Sequence, residues 1–492
     1  MSQAIGFTIL SLEGFRKPMQ FLQSTIMTQM FRILSLAGML VSAACIGQVD
    51  NELLDREFWK TQPTLQEVRE RVEAGDDATA LDQYNFDAMS WALIEEATPD
   101  VLEYLLEFEG NGVNKLTHDE RNYVFWAAYK DNLSFMKELE RRGARFDIVD
   151  EHGYSLLNFS AVTGQTNLEL YDYIISKGAD PAEERNRTGA HALLLVAPFM
   201  TDFGLSDYFE PYGLSLSDLD ADGNNGWLYA SKGGHLDVLT KLLEQGMDAK
   251  FTNAANENAA HFAVRGTRGG SNGREVFEYL ASQGVDVHAA NKEGVTPMML
   301  AAHGRAERDA LVYLTETAPN LHLQDLEGQS AMHHALAYGN LEACELLRDK
   351  GWSMEEAPYR GVTLLQALAD GYRARDHETF EKLSVFLRDN RVPLAQVLEG
   401  GEQWLHLGAR VQSMSMLKFG LVLGLDVNRR DDDGMTPLHE ACLTATNEEI
   451  INWLVAVGAD IEATTDFGET PQDLAMENEA LVDALPESLI VR

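Results

Sequence analysis

The sequence is poor in basic residues, and it lacks the common catalytic and metal-binding motifs. Its 39 Lys and Arg stand against 78 Asp and Glu, which gives a formal net charge of −39. A protein of that charge repels phosphate backbones and anionic lipid surfaces, so we expect no nucleic-acid partner. His-Glu-x-x-His, paired Cys-x-x-Cys, Gly-x-Ser-x-Gly and phosphate-binding glycine-rich loops do not occur. We therefore predict that the protein is not an enzyme and holds no metal and no cofactor.

Long apolar runs are also missing. The run at residues 33–41 is too short to span a membrane, but Arg32 precedes it and small residues follow it at 42–44. A positive start, a short apolar core and small residues are typical of a secretory signal. This pattern predicts that residues 1–47 are an N-terminal extension and signal, with the true start downstream of Met1. We expect the protein to be exported.

Cys45 directly follows these small residues, where a bacterial lipoprotein carries its acylated cysteine. Ser42 stands where such signals usually have leucine. Cleavage by the ordinary signal peptidase, before Cys45 or after Gly47, fits the residues at least as well. Both routes predict a protein in the periplasm or associated with the envelope, and the first adds a lipid anchor at Cys45.

A short pattern recurs along the rest of the chain, and it is clearest after residue 433. There the sequence has Gly-Met-Thr-Pro-Leu-His-Glu-Ala, then a second apolar segment, then Gly-Ala-Asp at 458–460. Gly434 suits a turn with positive φ, Thr436 can cap a helix, and Pro437 fits the first helical turn, where no N–H is needed. A return of this pattern near every 33 residues resembles the ankyrin repeat. The resemblance implies stacked helix-turn-helix units, since one pair cannot bury its apolar face alone.

Aligned on that glycine, twelve units lie in phase, about 35 residues apart on average against about 33 for the family. The resemblance covers about residues 60–485 and predicts an all-α solenoid of about twelve ankyrin-like units, joined by short β-turn or hairpin connections. Residues 48–84 would form an N-terminal capping half-repeat, 85–467 the repeats, and 468–492 a C-terminal capping repeat and tail. The predicted first residues of the units are Asn85, Arg121, Gly153, Gly189, Gly223, Asn256, Gly294, Gly328, Gly361, Gly401, Gly434 and Gly468.

Histidine has a repeated position in this pattern. Four histidines fall five residues after the first residue of a unit, namely His261, His333, His406 and His439. In related repeats this histidine ties the turn to the next helix by hydrogen bonds. The resemblance therefore implies a structural role for these four residues.

Two other patterns also favour structure over chemistry. Cys344 and Cys442 are three units apart, too far for a disulfide within a straight array, so we predict two small buried thiols. Alternating aspartates at residues 218–222 match the first half of a calcium loop. Tyr229, however, stands at the twelfth position, where calcium coordination needs a bidentate glutamate. An inter-repeat turn is the interpretation that we favour for this segment.

We expect partner contacts at the turn tips and at one glycine-rich loop. The loop, residues 265–274, holds three arginines in a chain dominated by acid. It is either a binding loop or a tolerated insertion. The aromatic cluster at residues 199–212 is interpreted as core, with a ligand platform as the alternative. The predicted contact residues are Arg265, Arg268, Arg274, Asn291, Lys292, Glu293, Leu326, Glu327, Arg429 and Arg430.

The resemblance implies non-catalytic binding of another protein on a concave surface of inner helices and turn tips. The excess acid supplies solubility or salt tolerance, or it makes this surface acidic so that it collects a basic partner. We predict a monomeric scaffold or adaptor in the bacterial cell envelope, without a transmembrane span. The alternatives are a secreted effector that binds a protein of another cell, a structural spacer, and an enzyme with a pocket that repeats rarely build.

Overall fold

The computed structural model describes residues 51–354, 362–371, 377–481 and 485–490. Within these ranges the protein is α-helical and has no strand, and single β-bridges such as Val149 with Ser155 close some of the turns. The predicted signal, Cys45 and Gly361 lie outside the described residues. Among the helices in these ranges, none combines the length and the apolar character that a bilayer crossing requires.

The helices follow one another in pairs, as the all-α solenoid prediction requires. Most first helices pack against the first helix of the next unit, and the first eleven each pack on the second helix of their own unit. The first helices are Ala88–Ile94, Tyr123–Tyr129, Leu156–Val162, Ala192–Val196, Gly226–Gly233, Ala259–Arg265, Pro297–Leu300, Ala331–Ala337, Leu364–Asp370, Trp404–Arg410, Pro437–Thr444 and Pro471–Glu477. The second helices are Pro99–Leu105, Leu133–Arg141, Leu168–Ser176, Gly204–Phe209, Leu236–Glu244, Arg274–Ser282, Arg308–Thr317, Leu341–Asp349, His377–Asp389, Met414–Val422 and Glu449–Ala456.

Two helices precede the first pair, Arg56–Lys60 and Leu65–Ala74. The predicted capping box of the second one is confirmed, because Thr64 and Glu67 exchange side-chain and backbone hydrogen bonds. The helix ends at Gly75, whose φ of 111° only glycine adopts without strain. The shorter elements are the 3-10 segments Glu52–Leu54, Glu109–Asn111, His118–Glu120, Ala197–Phe199, Glu210–Tyr212, Glu399–Gly401 and Glu487–Leu489, and the π-helical turn Ala301–Arg305. The number of repeats and the capping assignments remain predictions.

A left-handed residue opens every unit whose first residue the structure describes, and it explains where the first helix begins. Ten of the predicted first residues have positive φ, including the non-glycine residues Asn85 and Asn256. The N-cap follows two residues later, and in most units its side chain accepts a hydrogen bond from the first helical turn. One predicted register is wrong by a residue, since Glu120 has φ 59° and Arg121 is extended. No glycine marks this turn, so the alignment had no local signal there.

Backbone hydrogen bonds link the turns of successive units into one row. Ala221 N–H donates to Thr188 O at 2.7 Å, and Ala254 N–H donates to Asp222 O at 2.9 Å. At the next junction Lys292 N–H donates to Ala255 O, also at 2.9 Å. These bonds fix the turns beside the first helices, so that both face the same side of the array.

The four repeated histidines are confirmed as structural residues. In each, Nδ1 accepts a hydrogen bond from the N-cap N–H three residues earlier, at 3.1 to 3.3 Å. In three of them Nε2 faces a carbonyl in the next unit, at 3.2 Å for His261 and His439 and 3.3 Å for His406. This geometry requires the neutral ring with its proton on Nε2. Cys344 and Cys442 are buried free thiols, as predicted.

Candidate functional site

A groove of about 1120 Å³ runs along the turns and first helices of the units that begin at Gly153, Gly189, Gly223 and Asn256. We call it the four-unit groove. Each unit contributes residues from its turn and from the exposed side of its first helix. Aromatic rings form much of its floor and walls, and they are Tyr154, Phe159, Phe199, Tyr229 and Phe262.

The four-unit groove is richer in cations than in carboxylates, which is unusual for a chain with a net charge of −39. The lining of this groove is therefore not acidic, and whether the rest of the concave surface is acidic stays a prediction. Two of these cations, Lys232 and Arg265, lie at the ends of first helices, and the others lie in turns or in the glycine-rich loop. The lining cations are Arg121, Arg187, Lys232, Arg265 and Arg268, and the lining carboxylates are Asp220, Asp222 and Glu257.

Two of these cations are neutralised within the protein. Arg121 is almost fully buried and pairs with Asp150 at 2.7 Å and with Asp119 at 2.9 Å. Arg265 forms a bidentate pair with Glu257, one arm of which measures 3.0 Å. Burial opposes the charge of Glu257, but the bonds from Arg265 outweigh it and hold the pKa of that carboxyl below its usual range. Neither arginine is available to a ligand without breaking an internal pair.

Lys232 differs from these two arginines. Its ammonium is partly buried and has neither an ion pair nor a hydrogen bond within the part of the chain that the structure describes. It lies 5.2 Å from the ring centre of Tyr229 and 5.4 Å from that of Phe262. Burial lowers the pKa of Lys232, the charge of Arg265 lowers it further, and Asp220 opposes the shift. The groove thus contains a cation that is held between two rings and lacks a bonded anion.

Lys232 is held in place by close packing behind it. A Cβ atom on Gly233 would lie 1.7 Å from the carbonyl oxygen of Pro198, so only glycine lets the helix Gly226–Gly233 approach the 3-10 segment Ala197–Phe199 this closely. On the other side, the buried Asn272 amide donates to the carbonyl oxygens of Lys232 and Ala263, both at 2.9 Å. The glycine-rich loop is therefore anchored next to Lys232, and it places the exposed Arg268 at the rim of the groove.

The structure brings together two of the ten predicted contact residues, Arg265 and Arg268. Arg274 lies on the second helix of its unit instead, where it pairs with Glu278 at 2.6 Å and stacks over Tyr313. The turn-tip residues predicted at 291–293, 326–327 and 429–430 do not line the groove. Whether they contact a partner stays a prediction. In the aromatic cluster, Phe209 is core, as expected, and Phe199 lines the groove.

The segment that matches half of a calcium loop contributes Asp220 and Asp222 to the groove lining, and its carboxylates have partners within the protein. Asp218 contacts His191 at 3.1 Å. Asp220 accepts hydrogen bonds from the Tyr229 hydroxyl and the Asn224 amide, both at 2.8 Å, and from two backbone N–H groups of its own turn. These oxygen atoms act within the turn, as the structural interpretation of the segment implies.

A second cluster of charge lies further along the array, around Arg410. Carboxylate oxygens of Glu402, Asp431 and Glu440 lie within 4.8 Å of one another, a spacing that could hold a metal ion. The guanidinium of Arg410 occupies the middle of this group, because it pairs with Glu402 and lies 3.0 Å from Glu440. Burial opposes the Arg410 charge, but the two glutamates outweigh it and raise the pKa. The cation of this cluster is thus part of the protein itself.

Lys232 and Arg187 were missed by the sequence reasoning. The only signal was positional, since Lys232 stands nine residues after the first residue of its unit, as Arg265 and Arg410 do in theirs. Comparing that position across units would have found it. Arg187 had no comparable signal, because it is one of many exposed turn residues.

Comparison with known protein families identifies the repeat. A model of ankyrin repeats in three copies matches residues 227–317 and 267–357, and a model of many copies matches residues 413–455. The chain contains ankyrin repeats. Both models fall within the helix pairs described above, so the predicted all-α ankyrin solenoid is confirmed as the fold class.

Individual relatives share only parts of the chain. Protein phosphatase 1 regulatory subunit 27 of Homo sapiens is 35% identical over 94 residues, which are 19% of this chain and 60% of that protein. The putative palmitoyltransferase ZDHHC13 of Danio rerio is 25% identical over 201 residues, 40% of this chain and 30% of that protein. A putative ankyrin repeat protein of Rickettsia felis is 23% identical over 187 residues, 37% of this chain and 47% of that protein. The chain thus spans less than two thirds of each of these relatives.

Proposed function

We propose that this chain is a non-catalytic scaffold that binds a segment of another protein in the four-unit groove. The observation that carries the proposal is the groove itself, to which four consecutive ankyrin units contribute aromatic and charged side chains. A site of this kind spreads contacts over several units and can accept an extended segment. The name of the human relative, a regulatory subunit of a phosphatase, supports a binding role over a catalytic one.

The groove can be tested by blocking it. Thr188 is an exposed lining residue whose side chain bonds to Asn186 in its own turn and to the Tyr229 hydroxyl. A Thr188→Trp substitution places a large ring in the groove, and Thr240→Trp makes the same change on an exposed second-helix position outside it. The tagged full chain and the two variants are compared by affinity capture and mass spectrometry. We expect a protein that the unaltered chain and Thr240→Trp retain and that Thr188→Trp loses.

Two results would contradict the proposal. One is capture of the same proteins by all three chains, which would place binding outside the groove. The other is capture of none by the folded chain, which would favour the structural spacer. The partner's charge is decided by the same experiment, because the overall charge of −39 favours a basic partner and the cations of the groove favour an acidic segment.

The proposed place of action is the bacterial cell envelope, with the protein acting as a monomeric adaptor. The support is the signal-like pattern before Cys45, in the part of the sequence that the structure does not describe. Cell fractionation with N-terminal sequencing and lipid analysis tests it. A processed chain in the envelope agrees with the proposal, a processed chain in the medium favours the secreted effector, and an unprocessed chain in the cytoplasm contradicts export.

A further inference from the structure

Three units place a cation at one equivalent position, the end of the first helix. Lys232, Arg265 and Arg410 each stand nine residues after the left-handed residue that opens the unit. Because the units stack in register, these three side chains leave equivalent helices in equivalent directions. Their surroundings can therefore be compared residue by residue.

At two of the three positions the protein supplies carboxylates. The residue after the opening turn residue is glutamate in both units, and it pairs with the cation, Glu257 with Arg265 and Glu402 with Arg410. Arg410 receives a second carboxylate from the next unit, Glu440, at 3.0 Å. At these two positions acidic side chains thus neutralise a partly buried cation.

At Lys232 both of these partners are replaced. Asn224 stands where the other units have Glu257 and Glu402, and Phe262 stands where Arg410 meets Glu440. The amide of Asn224 is already bonded to Asp220 and Asn253. A neutral amide and an aromatic ring therefore take the places of two carboxylates.

Neighbouring carboxylates do not fill the gap. Asp220 accepts four hydrogen bonds within its own turn and from Tyr229. Glu257 is held by Arg265 and by the Asn253 amide at 3.2 Å. Both lie close enough to act on Lys232 through space, but neither is bonded to it. Among the described residues no carboxylate is bonded to Lys232, so the position can take an anion from outside the chain.

We propose that the Lys232 ammonium, between Tyr229 and Phe262, anchors a single aspartate or glutamate carboxylate of the protein segment that occupies the four-unit groove. This inference rests on the proposed function and names the chemistry of its ligand. Carboxylate is the anion that the chain itself places on the equivalent cations. Arg187 and Arg268, which line the groove without a carboxylate partner in the described ranges, add positive charge at the rim. The rings of Phe159 and Phe199 offer apolar walls to the residues beside the carboxylate.

The chain offers a charge-neutral way to remove this site. In the next unit the pair Asp220 and Asn224 is reversed, since Asn253 and Glu257 occupy the same two positions. The double substitution Asp220→Asn with Asn224→Glu copies that arrangement and leaves the net charge unchanged. It should give Lys232 an internal carboxylate in the way that Glu257 serves Arg265. Asn253 accepts the backbone bonds of its turn as Asp220 does, so the fold should tolerate the exchange.

A random peptide library tests the proposal without a known partner. Peptides of about nine residues extend over about 30 Å. Such a library on phage is selected in parallel on the full chain, on Lys232→Met, on the double variant and on Arg274→Gln, a control that removes a cation outside the groove. We expect the unaltered chain and Arg274→Gln to enrich peptides with Asp or Glu at one fixed position. Lys232→Met and the double variant should lose that enrichment, and the selected peptide should bind them about tenfold more weakly.

The outcomes separate this proposal from the proposed function. Peptides without a fixed acidic position that Thr188→Trp no longer binds would overturn the carboxylate anchor and keep the groove as a binding site. An acidic preference that survives in the double variant would also overturn the anchor. No enriched peptide from repeated selections would count against both proposals.

Synthetic peptides then identify the anion. In the selected peptide the acidic residue is replaced by its amide or by phosphoserine, and binding is measured by fluorescence anisotropy. The amide should weaken binding to the unaltered chain about tenfold and leave binding to Lys232→Met unchanged. An amide that binds equally well, or a phosphoserine that binds about tenfold better than the carboxylate, would contradict the assignment.

Discussion

Arg410 and Lys232 occupy the same position of the repeat in two regions of the molecule, and they have opposite surroundings. Arg410 pairs with Glu402 and Glu440, whereas Lys232 lies between Tyr229 and Phe262 and has no bonded anion among the residues that the structure describes. In the first arrangement the carboxylates of the protein neutralise the cation, so the site is closed to ligands. In the second the cation is left for a carboxylate of a partner to neutralise. The difference shows that one repeat position can serve stability in one unit and binding in another.

The same two regions differ five residues after the opening residue. Histidine stands there in the units of His333, His406 and His439, where it links neighbouring units by bonding to the backbone of Val362, Met435 and Glu469. In the units of the groove's first part this position holds Asn158, Leu194 and Leu228. The region toward the C-terminus is therefore joined at this position by polar links that depend on neutral imidazole, whereas the first three units of the groove have no histidine there and only the fourth, with His261, does.

The largest expected effect is a difference in acid sensitivity between the two regions. Burial lowers the pKa of His333 from 6.5 to about 4, and burial also lowers the pKa of His406 and His439. Since the unfolded chain binds these protons more readily, stability is complete above pH 6.5 and is lost as pH falls toward 4. His333 alone accounts for about 3 kcal/mol. Hydrogen exchange, corrected for intrinsic rates, should show loss of protection first at residues 328–470.

The matched variant for this prediction is His333→Leu, which copies the residue found at positions 194 and 228. It should reduce the acid sensitivity of its own unit and of the next one. Equal loss of protection in both regions between pH 6.5 and 4 would refute the difference between them.

Removing the cation should lower the free energy of unfolding by different amounts in the two regions. Arg410→Met leaves Glu402 and Glu440 close together without a counterion, and we expect a loss of about 3 kcal/mol. Lys232→Met removes an unpaired charge from a site with aromatic walls, and we expect a change within about 0.5 kcal/mol. Urea denaturation with hydrogen exchange of the affected units measures both. Similar losses for the two variants would mean that Lys232 has an internal role like that of Arg410.

Asn158 offers a test of the apolar contacts in the groove region. Its side chain is fully buried, and its amide oxygen and nitrogen have no hydrogen-bond partner in the described structure. Asn158→Leu copies Leu194 and Leu228, which are fully buried at the equivalent position. We expect a gain of about 1 kcal/mol, because an unsatisfied amide is replaced by a side chain of similar size. A loss of stability in thermal unfolding would show that the amide has a role in the fold.

The smallest expected effect concerns Lys232 itself. The double substitution Asp220→Asn with Asn224→Glu should raise stability by about 0.5 kcal/mol, since the new pair is partly exposed. It should also raise the pKa of Lys232, so that more of the amine is protonated at pH 8 to 9 and acylation is slower. Mass spectrometry of acylated peptides measures the rate, with Lys241 on the second helix as the internal reference. An unchanged rate would mean that the new glutamate does not reach Lys232.

Much of the fold followed from local signals. A residue with positive φ, an N-cap two residues later and a histidine at the fifth position are short-range features, and they placed the first helices correctly in eleven of the twelve units. The exception at Glu120 and Arg121 arose because neither residue has the conformational preference of glycine. The predicted arginine loop also lies at the groove, and two of its three arginines, Arg265 and Arg268, line it.

By itself, the sequence determined the repeat, its spacing, the helix starts and the structural histidines, because each depends on residues only a few positions apart. Only the tertiary structure decided where charge is left unpaired. The partners of Arg410 come from eight and thirty positions away, and the rings around Lys232 come from two units. Composition predicted an acidic surface, but stacking brought five cations into one groove, since charge at a site depends on which side chains meet there and not on the total.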